Sequence, residues 1–235
     1  MIKYCDTIGV IGGMGSYSTL HFFERFLKSF NAEEEYERPR IVIDNYCTLP
    51  NKVRAYLYNE KAEELLSNII SSLEHLTVMG CTKNLIVCNV THVFMEEIFK
   101  RSPDLKKNFV DMIECLSEKL YYQGVRKVLV WTTRNTIKAE VFEKYLYKYD
   151  IEIVYDIDNN EEIINELMWA GEHNILNEHV GVKYSELCNL YDKSFPIILG
   201  CTELSIINSM FYGECNLQIY DPIECVLEYI LQNLK

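Results

Sequence analysis

Short β-branched runs alternate with longer stretches of helical periodicity along this whole chain, and that alternation constrains the fold more than any other feature. Runs at residues 7–11, 41–44, 84–88, 127–131, 152–155, 197–199 and 217–219 read as strands. Apolar residues at 20, 22, 23, 26, 27 and 30 within 18–31, and at 62, 65, 66, 69, 70, 73 and 76 within 61–80, give each segment one buried helical face. Gly80 closes the second of these as a C-cap. Further helices are predicted at 105–123, 137–147, 161–167, 184–191 and 223–234. The pattern predicts an α/β chain of parallel strands joined by helical crossovers.

The two halves echo one another. The first runs from an apolar strand into a glycine-rich loop, GVIGGMGS, and ends on a strand followed by Cys-Asn, in LIVCNVTH. The second runs from an apolar strand into a threonine-rich loop, VLVWTTRNT, and ends on a strand followed by Cys-Thr, in IILGCTEL. Any two α/β halves share features at this level. The simplest reading is still two similar units, each presenting a cysteine beyond the C-terminal end of a strand, where ligands of open parallel sheets sit. Facing each other, such units offer two thiols to one cleft. The expected division is 1–103 plus 210–235 for the first unit and 104–209 for the second.

With 49% apolar residues among 235, the chain can bury a sizeable core. No apolar run approaches the ~20 residues that span a bilayer, and the opening run is too short for a signal-peptide core. A formal charge of −12, with an EEEYE cluster at 33–37 and no basic run, makes nucleic acid and anionic membranes poor partners. The nine cysteines are odd in number and include no CxxC. That pattern fits neither a disulfide framework nor a structural zinc site, and predicts a reduced, cytoplasmic protein.

Cys88 and Cys201 differ from the other cysteines in their neighbours. Each follows an apolar strand and is followed by hydrogen-bonding side chains, Asn89 and Thr91 in one case, Thr202 and Glu203 in the other. A thiol at a helix start has its pKa lowered by the helix dipole and free N–H groups. Cys5, Cys81, Cys115, Cys188 and Cys225 read instead as small buried hydrophobes; Cys47 and Cys215 lie in loop-like surroundings without a role. His92, four residues after Cys88, could support a thiolate, although a hydrogen-bonded residue at a helix start is the commoner case. His21, His75, His173 and His179 have no metal-ligand spacing.

The glycine-rich loop also invites a dinucleotide reading, because Gly13-x-Gly15 follows a strand and the next strand ends on Asp44. Ser18 stands where the third glycine belongs, and no Gly-Lys-Ser/Thr follows, so the motif is incomplete. Such glycines equally let the backbone approach a small carboxylate at a helix N-terminus.

IGVIGGMGS, LIVCNVTH and IILGCTEL resemble the three marker segments of the aspartate/glutamate racemase family, in the family's order and across nearly the whole chain. VLVWTTRNT is similar to its Thr-x-Gly-Thr loop, with Asn135 replacing the glycine. The resemblance implies two Rossmann-like units facing across a cleft, with the C-terminal helix returning to the first unit. It also implies a small-molecule amino-acid substrate, no cofactor, and a homodimer. No lysine sits in a recognisable Schiff-base context, so pyridoxal phosphate is not implied. Cys88 and Cys201 are then the acid–base pair, since a thiolate and a thiol on opposite faces of Cα can invert a stereocentre in either direction. Met14, Lys52, Arg54, Asn89, Val90, Thr91, Thr133 and Thr202 are expected to bind the substrate and stabilise the carbanion.

Several positions depart from the family pattern. Val90 stands where threonine is common after Cys-Asn, and Ser16 where proline is usual. The Pro-x-Arg that grips a distal carboxylate becomes Pro50-x-Lys52, with Arg54 two further on; lysine keeps the charge but loses bidentate geometry. A lysine used by some members is Trp169 here, in MWAG. The expected activity is interconversion of L- and D-aspartate, glutamate or another small amino acid. The alternatives are a related thiol-dependent isomerase or epimerase on the same scaffold, and a non-catalytic amino-acid-binding descendant.

Overall fold

In the computed structural model the residues described are 4–192, 195–211, 213 and 217–235. The β-branched runs form two parallel sheets. The first holds β1 (Thr7–Gly12) between β2 (Arg40–Asn45) and β3 (Lys83–Ile86). The second is built from β4 (Lys127–Trp131), β5 (Glu152–Val154), β6 (Pro196–Leu199) and β7 (Gln218–Tyr220), in the order β5–β4–β6–β7. Every pairing is parallel, so all the strands of one sheet end on the same side. Register then decides which loops meet. Ile11 lies opposite Ile86, and Trp131 opposite Leu199. The glycine-rich loop therefore leaves its sheet beside Cys88, and Thr132 leaves the other beside Cys201.

The helices are α1 (Ser16–Lys28), α2 (Lys52–Tyr58), α3 (Ala62–Val78), α4 (Met95–Arg101), α5 (Met112–Tyr122), α6 (Arg134–Lys138), α7 (Glu143–Leu146), α8 (Ile157–Glu172), α9 (Glu178–Asn189), α10 (Thr202–Phe211) and α11 (Pro222–Gln232). Side-chain caps start several of them: Asn51, Asp111, Thr133, Asn177 and Asp221 each accept an orphan N–H of the first turn. Two differences from the periodicity follow from local backbone. The helix expected over 137–147 is split into α6 and α7, with Glu140 between them at φ 51. Helix α2 ends on Asn59 at φ 55 and is too short to show a periodic apolar face.

Alternation along the strands sends Ile8 and Val10 to a layer made by Phe22 and Phe26 of α1 and by Ile223, Val226, Leu227 and Ile230 of α11. Ile11 and Ile86 face the opposite way, onto Leu65, Ile69 and Leu73 of α3. That second layer is continuous with Val128, Val130 and Ile198 of the other sheet, so one apolar cluster joins the halves. Leu129, Trp131, Ile197 and Leu199 pack on α8, α9 and α10. At about 25 cal/mol per Å² of apolar surface removed from water, these layers supply the main driving force for folding. Within the C-terminal segment the two elements part company: β7 hydrogen-bonds to β6 of the second sheet, whereas α11 packs beside the first.

Two cysteines differ from the sequence reading. Cys5 is exposed, because it precedes β1 rather than entering it. Cys188 is buried as expected, but it is disulfide-bonded and not a free thiol; a count of nine with no CxxC does not reveal a single bond. Cys81, Cys115 and Cys225 are free and buried, Cys47 free and exposed, and Cys215 lies outside the described residues. Among the described residues no helix is long and apolar enough to cross a membrane.

Candidate active site

The loop after β1 must turn sharply past the chain leaving β2. Gly13 has φ +82°, and a Cβ there would lie 2.5 Å from the backbone of Tyr46 and Cys47, so only glycine fits. The turn is locked by Thr19, whose hydroxyl accepts from Gly13 N–H (3.0 Å) and donates to the Gly15 carbonyl (2.9 Å). Met14, at the tip, is held from two sides. Lys52 Nζ donates to its carbonyl at 2.9 Å, and Thr91 Oγ1 lies 3.3 Å from its sulfur.

Beyond β3 the chain reaches Cys88 and Asn89, both buried. Asn89 Nδ2 donates to the Leu199 carbonyl at 3.3 Å, tying the end of the first sheet to the end of the second. Across the cleft, Gly200 N–H donates to the Trp131 carbonyl (2.8 Å), and a Cβ on Gly200 would lie 2.6 Å from Thr132 Cβ. Glycine thus lets β4 and β6 close up, which brings Thr132 Oγ1 within 3.4 Å of Cys201 Sγ. Thr133 then caps α6, its hydroxyl 3.2 Å from that of Thr136.

These ends border one half-open cavity of about 130 Å³, lined by Cys88 and Cys201 together with Met14, Lys52, Val53, Asn89, Val90, Thr133, Thr136, Met168, Gly200, Thr202 and Glu203. Both thiols are nearly inaccessible, Cys88 5% and Cys201 6% exposed. Burial pushes the Cys201 thiol up to about 12, and the Glu203 carboxylate adds to the effect; hydrogen bonds from Thr132, Thr133 and Thr136 work against it. The position just before α10 does not produce the lowered pKa expected from the sequence, because desolvation outweighs the helix N-terminus. Glu203 is itself raised by burial, with the Lys52 charge opposing that shift.

Not every residue singled out from the sequence reaches the cavity. Arg54 is absent from its lining; its guanidinium pairs with Glu60 (2.6 Å) on the exposed side of α2. Thr91 is buried behind Met14 and acts through it. His92 does not bond the Cys88 thiol. Its Nδ1 donates to the Cys88 carbonyl at 2.9 Å, with Nε2 3.6 Å from Asp111. Trp169 is 54% exposed and stacks on His173, while its neighbour Met168 lines the cavity. Met168, Val53, Thr136 and Gly200 are not singled out by the sequence reading, which names Glu203 only as a hydrogen-bonding neighbour of Cys201. For Met168 a signal exists: it lies four residues after the buried Ile164, one helical turn along α8.

A family model described as Asp/Glu/Hydantoin racemase matches residues 11–230. The chain belongs to the Asp/Glu/hydantoin racemase family. Within known proteins, it is 23% identical over 227 residues to the broad specificity amino-acid racemase RacX of Bacillus subtilis (strain 168), covering 93% of this chain and 94% of that one. Its fold is that of the Picrophilus torridus aspartate racemase, with a TM-score of 0.81 at 22% identity over 98% of this chain and 96% of that one. An aspartate racemase homologue from Pyrococcus horikoshii OT3 is also similar, with a TM-score of 0.67 at 23% identity over 97% and 98% of the two chains. The family match begins at the end of β1 and takes in the other six strands and every residue lining the cavity.

Proposed function

We propose that the protein is a cofactor-independent amino-acid racemase in which Cys88 and Cys201 exchange the α-proton of a small amino acid. The observation that carries the reading is the cavity itself: two free thiols, delivered by the ends of two different sheets, line one small half-open space. Its volume is of the order of the ~150 Å³ cavity that takes up benzene, so the ligand is small.

In the reaction, a thiolate on one face takes the α-proton and the C–H electron pair stays on Cα, delocalised into the adjoining carboxylate. The thiol on the other face then returns a proton, leaving the opposite enantiomer and the opposite thiolate. A Cys201 thiol pushed up to about 12 holds its proton at neutral pH and is the donor in the direction in which the opposite thiolate takes the α-proton. Once deprotonated it is a stronger base than an ordinary thiolate, which suits a weakly acidic C–H. Asn89, Thr133 and Thr202 supply preorganised donors around the developing charge. Placement in the cytoplasm and assembly as a homodimer belong to the same proposal.

The test is α-hydrogen exchange in D₂O, followed by proton NMR with a panel of single L- and D-amino acids. Exchange accompanied by loss of optical rotation supports racemisation. Tight binding of an amino acid with no exchange for any enantiomer supports the binding-protein alternative instead.

A further inference from the structure

Apart from the two thiols, the titratable side chains lining the cavity are one amine, Lys52, and one carboxyl, Glu203, which burial favours in its neutral form and a neighbouring cation would hold ionised. Lys52 enters from the start of α2 and Glu203 from the start of α10. Among the described residues neither forms an ion pair. Lys52 spends one donor on the Met14 carbonyl, which leaves two. The Glu203 carboxylate has its own backbone N–H and a long contact from Thr202 (3.4 Å). It lies beside Gly15, where an added Cβ would be 3.2 Å from Oε1. Asn89 adds a third group short of partners: its Oδ1 is buried and has no hydrogen-bond partner. Buried polar atoms are rarely left in this state unless something else completes them.

An α-amino acid completes all three. We infer that the cavity is shaped for an amino acid with an uncharged side chain, its α-carboxylate on Lys52 and its α-ammonium on Glu203 and Asn89. The inference rests on the racemase reading and names its substrate class. Charge matching decides it. A zwitterion brings one charge of each sign to a lining that offers one of each. Aspartate or glutamate would bring a second carboxylate with no cation left to receive it, because Arg54 points away to Glu60. The nearby Glu172, whose charge already acts on Glu203, makes that extra anion still less welcome. Beside the hydroxyls of Thr133, Thr136 and Thr202, the lining has an apolar part made by Met14, Val53, Val90 and Met168, which suits a side chain without charge. Lys52 therefore takes the α-carboxylate here, and not the distal one expected from the sequence.

The experiment compares kcat/KM for α-hydrogen exchange in D₂O with alanine, valine and methionine against aspartate, glutamate and lysine, using the full chain. At least tenfold higher kcat/KM with a neutral amino acid is expected. Glu203→Gln and Lys52→Met should each raise KM for that substrate at least tenfold, with a smaller effect on kcat, while Lys52→Arg restores most of the affinity. Faster turnover of aspartate or glutamate than of every neutral amino acid overturns the inference and leaves the racemase reading standing. An unchanged KM in both Glu203→Gln and Lys52→Met overturns the assigned pairing. If no amino acid exchanges, the racemase reading fails, and isothermal titration with the same panel decides the ligand class alone. Tighter binding of neutral amino acids then supports it, and tighter binding of aspartate or glutamate sinks it.

Discussion

Thr132 and Cys201 meet where β4 and β6 end together, Oγ1 and Sγ 3.4 Å apart. The contact matters because the thiol's surroundings otherwise oppose ionisation: burial and the Glu203 charge push it up to about 12. A hydroxyl that donates to the thiolate offsets part of that cost. Hydrogen bonds to charged groups are worth about 1.5–3 kcal/mol, which is tenfold or more in an equilibrium. Thr132→Val keeps the shape of a fully buried side chain and removes the donor. The expected result is an alkylation profile for Cys201 shifted to still higher pH and at least tenfold slower α-hydrogen exchange near neutral pH. An unchanged alkylation profile would assign the contact to packing alone.

Gly171 controls how closely α8 and α10 approach. A Cβ at this position would lie 2.8 Å from the Glu203 carbonyl and 3.0 Å from Glu203 Cβ, so backbone has to move to admit one. Gly171→Ala is expected to destabilise the protein by about 1–3 kcal/mol through overpacking. It should also raise KM, since the displaced helix carries Thr202 and Glu203. Thermal unfolding and kinetics on one preparation check both effects. A variant with wild-type stability and KM would show that the two helices slide apart freely.

Both sheets and both cavity cysteines are legible in the sequence, because β-branched runs mark buried parallel strands and Cys88 and Cys201 each stand two residues beyond the end of one. The side on which individual helix residues point is harder to read. Lys52 and Arg54 are two apart on α2, and residues at that spacing do not share a helical face, so only one can reach the cavity. Met168 and Trp169 are adjacent on α8 and separate for the same reason. Thr91 reads as a site residue because it follows Cys88, whereas His92 reads first as a hydrogen-bonded residue at a helix start. A tight 3₁₀ turn over Val90–Phe94 carries both into the interior, against Met14 and the Cys88 carbonyl. The acidity of Cys201 is hidden as well, since a linear sequence shows a helix start but not how completely the thiol is cut off from water.

Asp221 ties α10 to α11 from a fully buried position. Its Oδ1 accepts from Ser205 Oγ and from Ile223 N–H, both at 2.8 Å. Burial raises its pKa to about 7, against those hydrogen bonds. A carboxyl whose folded pKa lies above its unfolded value stabilises the fold fully below the unfolded value, near pH 4, and that contribution disappears as pH rises through about 7. Asp221→Asn keeps an acceptor oxygen for both donors and carries no proton equilibrium. Relative to this variant, the wild-type protein is expected to lose on the order of 2–4 kcal/mol between pH 4 and pH 8. Parallel melting curves for the two proteins across that range would contradict the assignment.

Two-base chemistry separates proton removal from proton return, and single cysteine variants can expose the separation. If Cys88 and Cys201 flank Cα, each thiolate removes the proton of one enantiomer only. Serine in either place is a very weak base near neutral pH, so Cys88→Ser and Cys201→Ser should both racemise at least a hundredfold more slowly than wild type, in line with typical acid–base contributions of about 10²–10⁴. Their residual activities should nevertheless differ. In each variant the remaining thiolate can take the α-proton of the enantiomer facing it and return solvent deuterium to the same face. The two variants are therefore expected to exchange opposite enantiomers, one the L form and the other the D form, with retention of configuration. Proton NMR of each enantiomer in D₂O reads this directly. Near-normal racemisation by either variant would show that its cysteine is dispensable and would favour a one-thiol reaction in the same cavity.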